Sequence, residues 1–166
     1  MASETITVRR AVSADAAAIA KLHIKSWNEA IRPLNVFTDA FVDTVNARRL
    51  ESHTNRLRND VQETGASKIV GLCMMGRSWM LEEFPDYINE LMALYVDSDY
   101  YGSGAAKKMI AEGIRLLGWD KTGGKMICKA LELNKRKIIG REVSTKEGEN
   151  GAVLVMFGWD ALPLLE

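Results

Sequence analysis

The chain has 166 residues, with 22 basic and 22 acidic side chains and a mean hydropathy near zero. This length fits a single domain with one sizeable core. The balanced charge, without long runs of one sign, argues against a nucleic-acid surface or a binder of anionic membranes. The first residues lack the positive flank and apolar core of a secretory signal. No apolar run approaches the roughly 18 residues that cross a bilayer. We therefore expect a cytoplasmic protein.

In the first half of the chain, the residue pattern predicts one short strand and two helical regions. Residues 6–9 alternate as a strand would, and Ser13 is the predicted cap of a helix with Asp15 in its first turn. Pro33 interrupts this helix, and Thr38 begins the second helical region. A polar turn at residues 64–67 then precedes the apolar run 69–75, which predicts a strand.

The second half predicts further strands around one amphipathic helix. Segment 88–96 predicts a strand, and another is expected near residues 126–133. The helix between them has apolar residues at helical spacing, namely Ala106, Met109, Ile110, Ile114 and Leu117. Residues 137–144 and 152–157 predict a hairpin around a turn at Asn150 and Gly151. Early alternation of strands with helices and a strand-rich end predict a single-domain α/β (α+β) fold, with a mixed central sheet and helices on both faces.

Cys73 and Cys128 are single thiols inside apolar segments, without close spacing to each other or to His23 and His53. Isolated cysteines in such surroundings usually act as small core residues. The pattern therefore predicts neither a metal site nor a disulfide framework.

Segment 90–117 is the most informative part of the chain. An apolar strand that begins with Glu90 enters a turn with Gly102 and Gly104, and this turn opens the amphipathic helix. The glycines let backbone N–H groups point the same way, without Cβ atoms in the path of a ligand. The helix start adds unpaired N–H groups and a partial positive charge of about half a unit. Together these features predict a seat for a diphosphate.

The same segment resembles the acetyl-CoA signature of the GNAT superfamily of N-acetyltransferases, Gln/Arg-x-x-Gly-x-Gly/Ala. Gly104 and Ala106 match its last two fixed positions, whereas Tyr101 stands where Gln or Arg is usual. Residues 8–27 look like the family's first strand and helix, and residues 131–134 look like the end of its fifth strand. Residues 139–142 and 156–159 look like its closing strands. The resemblance covers most of the chain and implies a GNAT-like acyl-CoA N-acyltransferase fold.

The resemblance also implies a reaction and a cofactor site. Acetyl would pass directly from acetyl-CoA to an amine of a small molecule or peptide, with no metal. The strand backbone would pair with the pantetheine arm, the glycine turn would hold the diphosphate, and an asparagine after the fifth strand would touch the cofactor. The implied cofactor-binding residues are Leu94, Tyr95, Val96, Tyr101, Gly102, Ser103, Gly104, Ala105, Ala106 and Asn134.

Glu90 and Trp27 are the candidates for catalysis and acceptor binding. An alkyl ammonium with a pKa of about 10.4 must lose a proton before it attacks, so a nearby base helps. Glu90 matches a carboxylate that several family members use, and alternation places it on one strand face with Met92 and Leu94. The alternative is a surface Glu at a strand end. Trp27 matches the acceptor groove of the family, although a core role also fits its place on the apolar helix stripe.

The chain departs from the family after the fifth strand. Many members protonate the leaving thiolate with a Tyr from a helix there, but no Tyr follows Tyr101, and residues 135–137 alone separate Asn134 from the closing strand. A thiol with a pKa of about 8.5 leaves tolerably without an acid, so we expect weakened turnover. A missing helix would also uncover sheet surface, which predicts a homodimer through residues 135–141 or 152–157.

Two alternatives to an acetyltransferase remain open. One is a non-catalytic acyl-CoA-binding or regulatory module of the same fold, favoured by Tyr101 and the missing phenol. The other is an unrelated nucleotide-diphosphate binder, although the Lys-Ser/Thr pair that usually follows its glycine turn is absent.

Overall fold

The structure, a computed structural model, describes residues 5–57, 68–122, 124–131, 138–143 and 153–159. The helices are α1 (Ala16–Ile31), α2 (Asp39–Ala47), α3 (Arg49–Arg56), α4 (Ala105–Leu116) and α5 (Trp119–Thr122). The strands are β1 (Gly71–Arg77), β2 (Asn89–Val96), β3 (Met126–Leu131), β4 (Ile138–Val143) and β5 (Val153–Trp159). Short 3-10 turns occupy Ser13–Asp15, Arg32–Leu34 and Ser98–Tyr100.

The described strands form one mixed sheet in the order β1-β2-β3-β5-β4. β2 and β3 are parallel, and the other three neighbouring pairs are antiparallel. The β4–β5 pairing confirms the predicted C-terminal hairpin, whose turn lies outside the described residues. β5 pairs on both sides, whereas β4 is the outer strand. The homodimer contact expected in this region stays a prediction.

Helices pack against both faces of the sheet, as predicted. On one face Ile19 and Leu22 of α1 contact Leu72 of β1. On the other face Ile114 of α4 joins Leu91 in a separate cluster that also contains Trp119 and Met126. Met126 and its neighbour Ile127 are fully buried, so the deepest part of the core lies at the start of β3. Among the described helices, none combines the length and apolar character needed to span a bilayer.

The predicted helix starts are partly confirmed. Thr38 caps α2, since its Oγ1 accepts a hydrogen bond from the Phe41 N–H at 3.2 Å. Ser13 is not a cap: the Asp15 carboxylate instead accepts the Val12 N–H at 2.9 Å. The start of this helical segment is therefore held by a carboxylate, whose charge strengthens the hydrogen bond that it accepts.

The strand predicted at residues 6–9 is wrong, since this segment has no regular secondary structure. Arg9 turns toward the chain that follows and forms a two-pronged ion pair with Asp15, at 2.6 and 2.8 Å. Alternation of residue types predicts which side chains share a face, but a strand also needs a neighbouring backbone to pair with. No backbone hydrogen bonds join residues 5–12 to another strand of the described sheet.

Helix α4 follows the glycine turn as predicted, with a modified apolar face. Met109 and Ile114 are buried, and Ala105 rather than Ala106 is buried in the first turn. Leu117, expected on the same face, caps the helix C-terminus and is 38% exposed. The helix ends before Leu117 would reach the sheet, because Gly118 follows with a positive φ of 69°.

A β-bulge in β2 changes which side chains share a face. Met74 of β1 pairs with Ala93 and Met75 pairs with Leu91, which leaves Met92 as the extra residue. An extra residue reverses the alternation beyond it. Leu94 therefore packs on the α4 face together with Leu91, whereas Tyr95 packs on the α1 face. Glu90, which precedes Leu91, shares its face with Tyr95, so the expectation that it lies beside Leu94 is wrong.

Candidate functional site

The loop between β2 and α4 is fixed to the rest of the fold by Asp97. Its backbone N–H donates to the Val70 carbonyl at 2.9 Å, and its side chain accepts the Asp99 N–H at 3.2 Å. Lys25 of α1 donates to the same carboxylate at 2.7 Å. The hydrogen bond from Lys25, followed by that from the Asp99 N–H, holds the pKa of Asp97 below its ordinary value. The turn that follows is thus anchored to both β1 and α1.

The glycine turn has the conformation predicted for it. Gly102 and Gly104 have positive φ values of 77° and 78°, which other residues adopt only with strain. A Cβ added at either position would meet no atom within 4 Å, so the space over the turn is open. This open side fits a group that approaches the backbone closely.

The N–H groups of the turn divide into two sets. Tyr101, Ser103 and Ala105 donate within the turn, to Ser98, Tyr100 and the Ser103 hydroxyl respectively. Gly102, Gly104, Ala106 and Lys107 have N–H groups without a hydrogen-bond partner among the described residues. The second set is therefore free to bind an anion at the positive end of α4. The donor set suits a diphosphate.

Strands β2 and β3 separate soon after they meet. Their parallel pairing covers Asn89 with Met126 and Glu90 with Ile127, and no later pair is formed between them. Beyond Glu90, β2 keeps its pairing with β1, and β3 keeps its pairing with β5. The side of β2 that faces β3, up to Val96, therefore presents unpaired backbone groups in the middle of the described sheet. This opening includes the predicted backbone positions Leu94, Tyr95 and Val96.

Glu90 lies at the closed end of this opening. It is 9% exposed, and its Oε2 accepts the Trp79 backbone N–H at 2.9 Å. The other oxygen, Oε1, has no hydrogen-bond partner among the described residues. One oxygen of this buried carboxylate is therefore held by a backbone N–H, and the other can accept a further hydrogen bond. Asn134, which the sequence predicts to contact the cofactor, lies outside the described residues.

Trp27 belongs to a small core between α1 and α2. Its ring lies 5.8 Å from the ring of Phe37, and the Arg49 guanidinium sits 5.0 Å above it. It packs against the buried side chains of Ile31 and Val42. Its Nε1 is buried and has no partner in the described part of the chain. The packing agrees with a core role, and the unpaired Nε1 is the one feature that would suit an acceptor contact.

A buried polar cluster on the α1 face was not predicted. His23 Nδ1 lies 3.0 Å from His53 Nε2, and Arg49 Nη1 lies 2.7 Å from His23 Nε2. The His23 ring also packs on Tyr95, with ring centroids 4.6 Å apart. Burial, followed by the charge of Arg49, lowers the pKa of His23 to about 3, and the same two causes lower the pKa of His53. Two histidines 30 positions apart in different helices give no local signal in a sequence.

Cys73 does not have the environment of a nucleophile. Cys73 and Cys128 are both half-buried, and burial raises the pKa of the Cys73 thiol to about 12. A thiol that stays protonated at neutral pH is a poor nucleophile. Within the described ranges, no three His, Cys, Asp or Glu side chains come together as metal ligands.

Comparisons with known proteins agree on the architecture. No protein-family model matches the chain, and no curated protein matches it. Among solved structures, it is similar to the PaiA N-acetyltransferase of Thermoplasma acidophilum in complex with coenzyme A. That similarity has a TM-score of 0.62 at 12% identity, over 93% of this chain and 99% of the other. A histone acetyltransferase HPA2-related acetyltransferase of Corynebacterium glutamicum gives 0.54 at 13% identity, over 95% and 97% of the two chains. The chain therefore has the fold of the GNAT acetyltransferases.

Proposed function

We propose that this chain is an N-acetyltransferase that uses acetyl-CoA to acetylate an amine of a small molecule or peptide. The observation that carries the proposal is the opening between β2 and β3, which runs from the glycine turn to the Glu90 carboxylate. Both solved neighbours are acetyltransferases, and one was solved with coenzyme A. The opening suits a long cofactor whose reactive end lies at Glu90. The glycine turn would bind the diphosphate, the unpaired edge of β2 would bind the arm, and the buried carboxylate lies at the other end.

The dimensions of the opening support this placement. Glu90 and Val96 lie six residues apart on β2, which corresponds to about 20 Å of extended strand. The unpaired N–H and C=O groups of β2 would bind the amide groups of a pantetheine arm as another strand would. The N–H groups of Gly104, Ala106 and Lys107 would hold the diphosphate. Acetyl-CoA supplies the activated acetyl group as a thioester.

Glu90 has the role of the base in this proposal. An acceptor amine is protonated at neutral pH and must lose a proton to Glu90, directly or through a water, before its nitrogen can attack a carbonyl carbon. The Trp79 N–H fixes one carboxylate oxygen, which leaves Oε1 to accept that proton. On Glu90's side of the sheet, the α1 face, His23 and His53 lie within hydrogen-bond distance of each other, and burial lowers the pKa of both.

The alternative is a non-catalytic acyl-CoA-binding module of the same fold. The absence of any Tyr after Tyr101 favours it, since no phenol from that part of the chain is present to protonate a thiolate. Release of free thiol from acetyl-CoA, measured with a panel of small amines and peptides, separates the two functions. An enzyme releases thiol in proportion to acetylated product, whereas a binding module releases none above the background rate.

The cofactor placement is tested with Gly104→Asp and the matched control Gly118→Asp. Both glycines have positive φ values, 78° and 69°, and an added Cβ meets no atom within 4 Å at either position. The backbone strain is therefore similar, but Gly104 precedes α4 and Gly118 follows it. We expect calorimetry to show that Gly104→Asp removes most CoA affinity while Gly118→Asp retains it. Equal affinity in both variants would refute the placement.

A further inference from the structure

The loop that precedes α4 carries charge of the wrong sign for an anionic ligand. Residues 97–104 contain Asp97 and Asp99 and no Lys or Arg. The side chain of Asp97 is only 12% exposed, so water screens its negative charge weakly. In the part of the chain that the structure describes, the one cation within 4 Å of this carboxylate is Lys25 of α1, at 2.7 Å. A charge on another helix therefore neutralises the loop.

Asp97 is also the first member of a chain of hydrogen bonds that shapes the glycine turn. Its carboxylate accepts the Asp99 N–H at 3.2 Å, and its carbonyl accepts the Tyr100 N–H at 2.8 Å. The Tyr100 carbonyl in turn accepts the N–H and the hydroxyl of Ser103, at 3.3 and 2.6 Å. The Ser103 hydroxyl then accepts the Ala105 N–H at 3.3 Å. This chain runs from Asp97 to the first residue of α4.

Lys25 stands between two carboxylates, and one of them belongs to the loop. Its Nζ lies 2.7 Å from Asp97 and 3.9 Å from Glu29, which is on α1 itself. The side chains of Lys25 and Glu29 are 40% and 41% exposed. Ion pairs at such exposure contribute little to the free energy of unfolding. The contact with Asp97 therefore matters more for the loop than for the fold as a whole.

We infer that Lys25 is a positioning residue for the cofactor, which acts through Asp97. It fixes the carboxylate from which the turn is built, and it cancels a negative charge in the loop whose free N–H groups face an anion. The inference rests on the proposed function, since it concerns the diphosphate of the same cofactor. A preformed and neutralised turn binds an anion more tightly, because less ordering and less repulsion oppose binding.

The test measures CoA binding by calorimetry in the wild type and four variants. Lys25→Met removes the charge and keeps an unbranched side chain, and we expect it to weaken CoA binding about tenfold. Lys25→Arg keeps the charge and should retain most of the affinity. Adding Asp97→Asn to Lys25→Met should recover part of the loss, because an amide oxygen can still accept the Asp99 N–H without a charge. Glu29→Gln is the matched control and should bind CoA as the wild type does.

Steady-state kinetics separate positioning from a general loss of structure. In Lys25→Met the KM for acetyl-CoA should rise while kcat at saturation stays unchanged, and the free energy of unfolding in urea should change little. Equal CoA affinity in Lys25→Met and Glu29→Gln would overturn the inference. A lower kcat with an unchanged KM would overturn it as well.

Hydrogen exchange in the ligand-free protein distinguishes failure of this inference from failure of the proposed function. Measured by NMR, the Asp99 and Ser103 amides should exchange faster in Lys25→Met than in Glu29→Gln, because both belong to the chain of hydrogen bonds that begins at Asp97. A wild type that binds no CoA would refute the proposed function, while the exchange rates would still decide whether Lys25 orders the turn. Unchanged exchange rates in a protein that binds CoA would overturn the inference alone.

Discussion

The buried histidine pair makes the free energy of unfolding depend on pH between pH 7.5 and pH 5, a range in which few other side chains titrate. His23 and His53 are the two histidines of the chain, and both have lowered pKa values, to about 3 for His23. Carboxylates titrate mainly below pH 5, since their ordinary pKa values are about 4. Acidification from pH 7.5 to pH 5 therefore perturbs chiefly this cluster.

The direction and size of the effect follow from the two states of His23. In the unfolded chain its pKa is about 6.5, so the unfolded state binds a proton that the folded state does not accept until about pH 3. The free energy of unfolding is therefore fully retained above pH 6.5 and falls as the pH is lowered. For His23 alone, the loss between pH 7.5 and pH 5 is about 2 kcal/mol. His53 changes stability in the same direction.

Urea unfolding at several pH values, followed by tryptophan fluorescence, measures this loss. His23→Gln keeps a polar side chain but cannot titrate, so its free energy of unfolding should vary less with pH than that of the wild type. The His53→Gln variant should retain the part of the pH-dependent loss in the free energy of unfolding that comes from His23. A wild-type free energy of unfolding that stays level, or rises, on going to pH 5 would contradict the neutral buried pair.

Two further predictions concern the site and the assembly. Glu90→Gln should lower turnover by roughly 10²-fold or more at neutral pH, with partial recovery at higher pH and unchanged CoA affinity, because the amine then loses its proton to solvent. Steady-state rates across pH measure this, with the exposed Glu51→Gln on α3 as the control. A wild-type rate of the Glu90→Gln variant at every pH would show that Glu90 has a structural role only. Light scattering at high micromolar concentration should show a homodimer, since β4 is the outer strand of the described sheet. A monomer under those conditions would rule that contact out.

Local patterns in the sequence predicted most of the elements that build the site. The two glycines and the apolar spacing that follows them predicted both the turn and α4, because backbone freedom and helical periodicity are properties of neighbouring residues. Thr38 predicted the start of α2 for the same reason. The mixed sheet and the helices on both of its faces also followed from the order of elements.

What the sequence did not predict depends on contacts between distant residues. The bulge at Met92 has no signature in the alternation of β2, so the face of Glu90 was assigned wrongly. The Arg9–Asp15 ion pair replaced the strand expected at residues 6–9. The His23–His53 pair likewise depends on how α1 and α3 meet, which residue types alone do not determine.

The short pairing between β2 and β3 also has a consequence for how the molecule opens. Two residue pairs hold together two groups of strands, β1–β2 and β3–β5–β4, which are each paired more extensively within themselves. In a central strand the amides normally exchange slowly, because hydrogen bonds to the strands on both sides protect them. Here the β3-facing amides of β2 beyond Glu90 should exchange early, and the two groups should behave as separate cooperative units. A ligand that bridges the gap would join them into one.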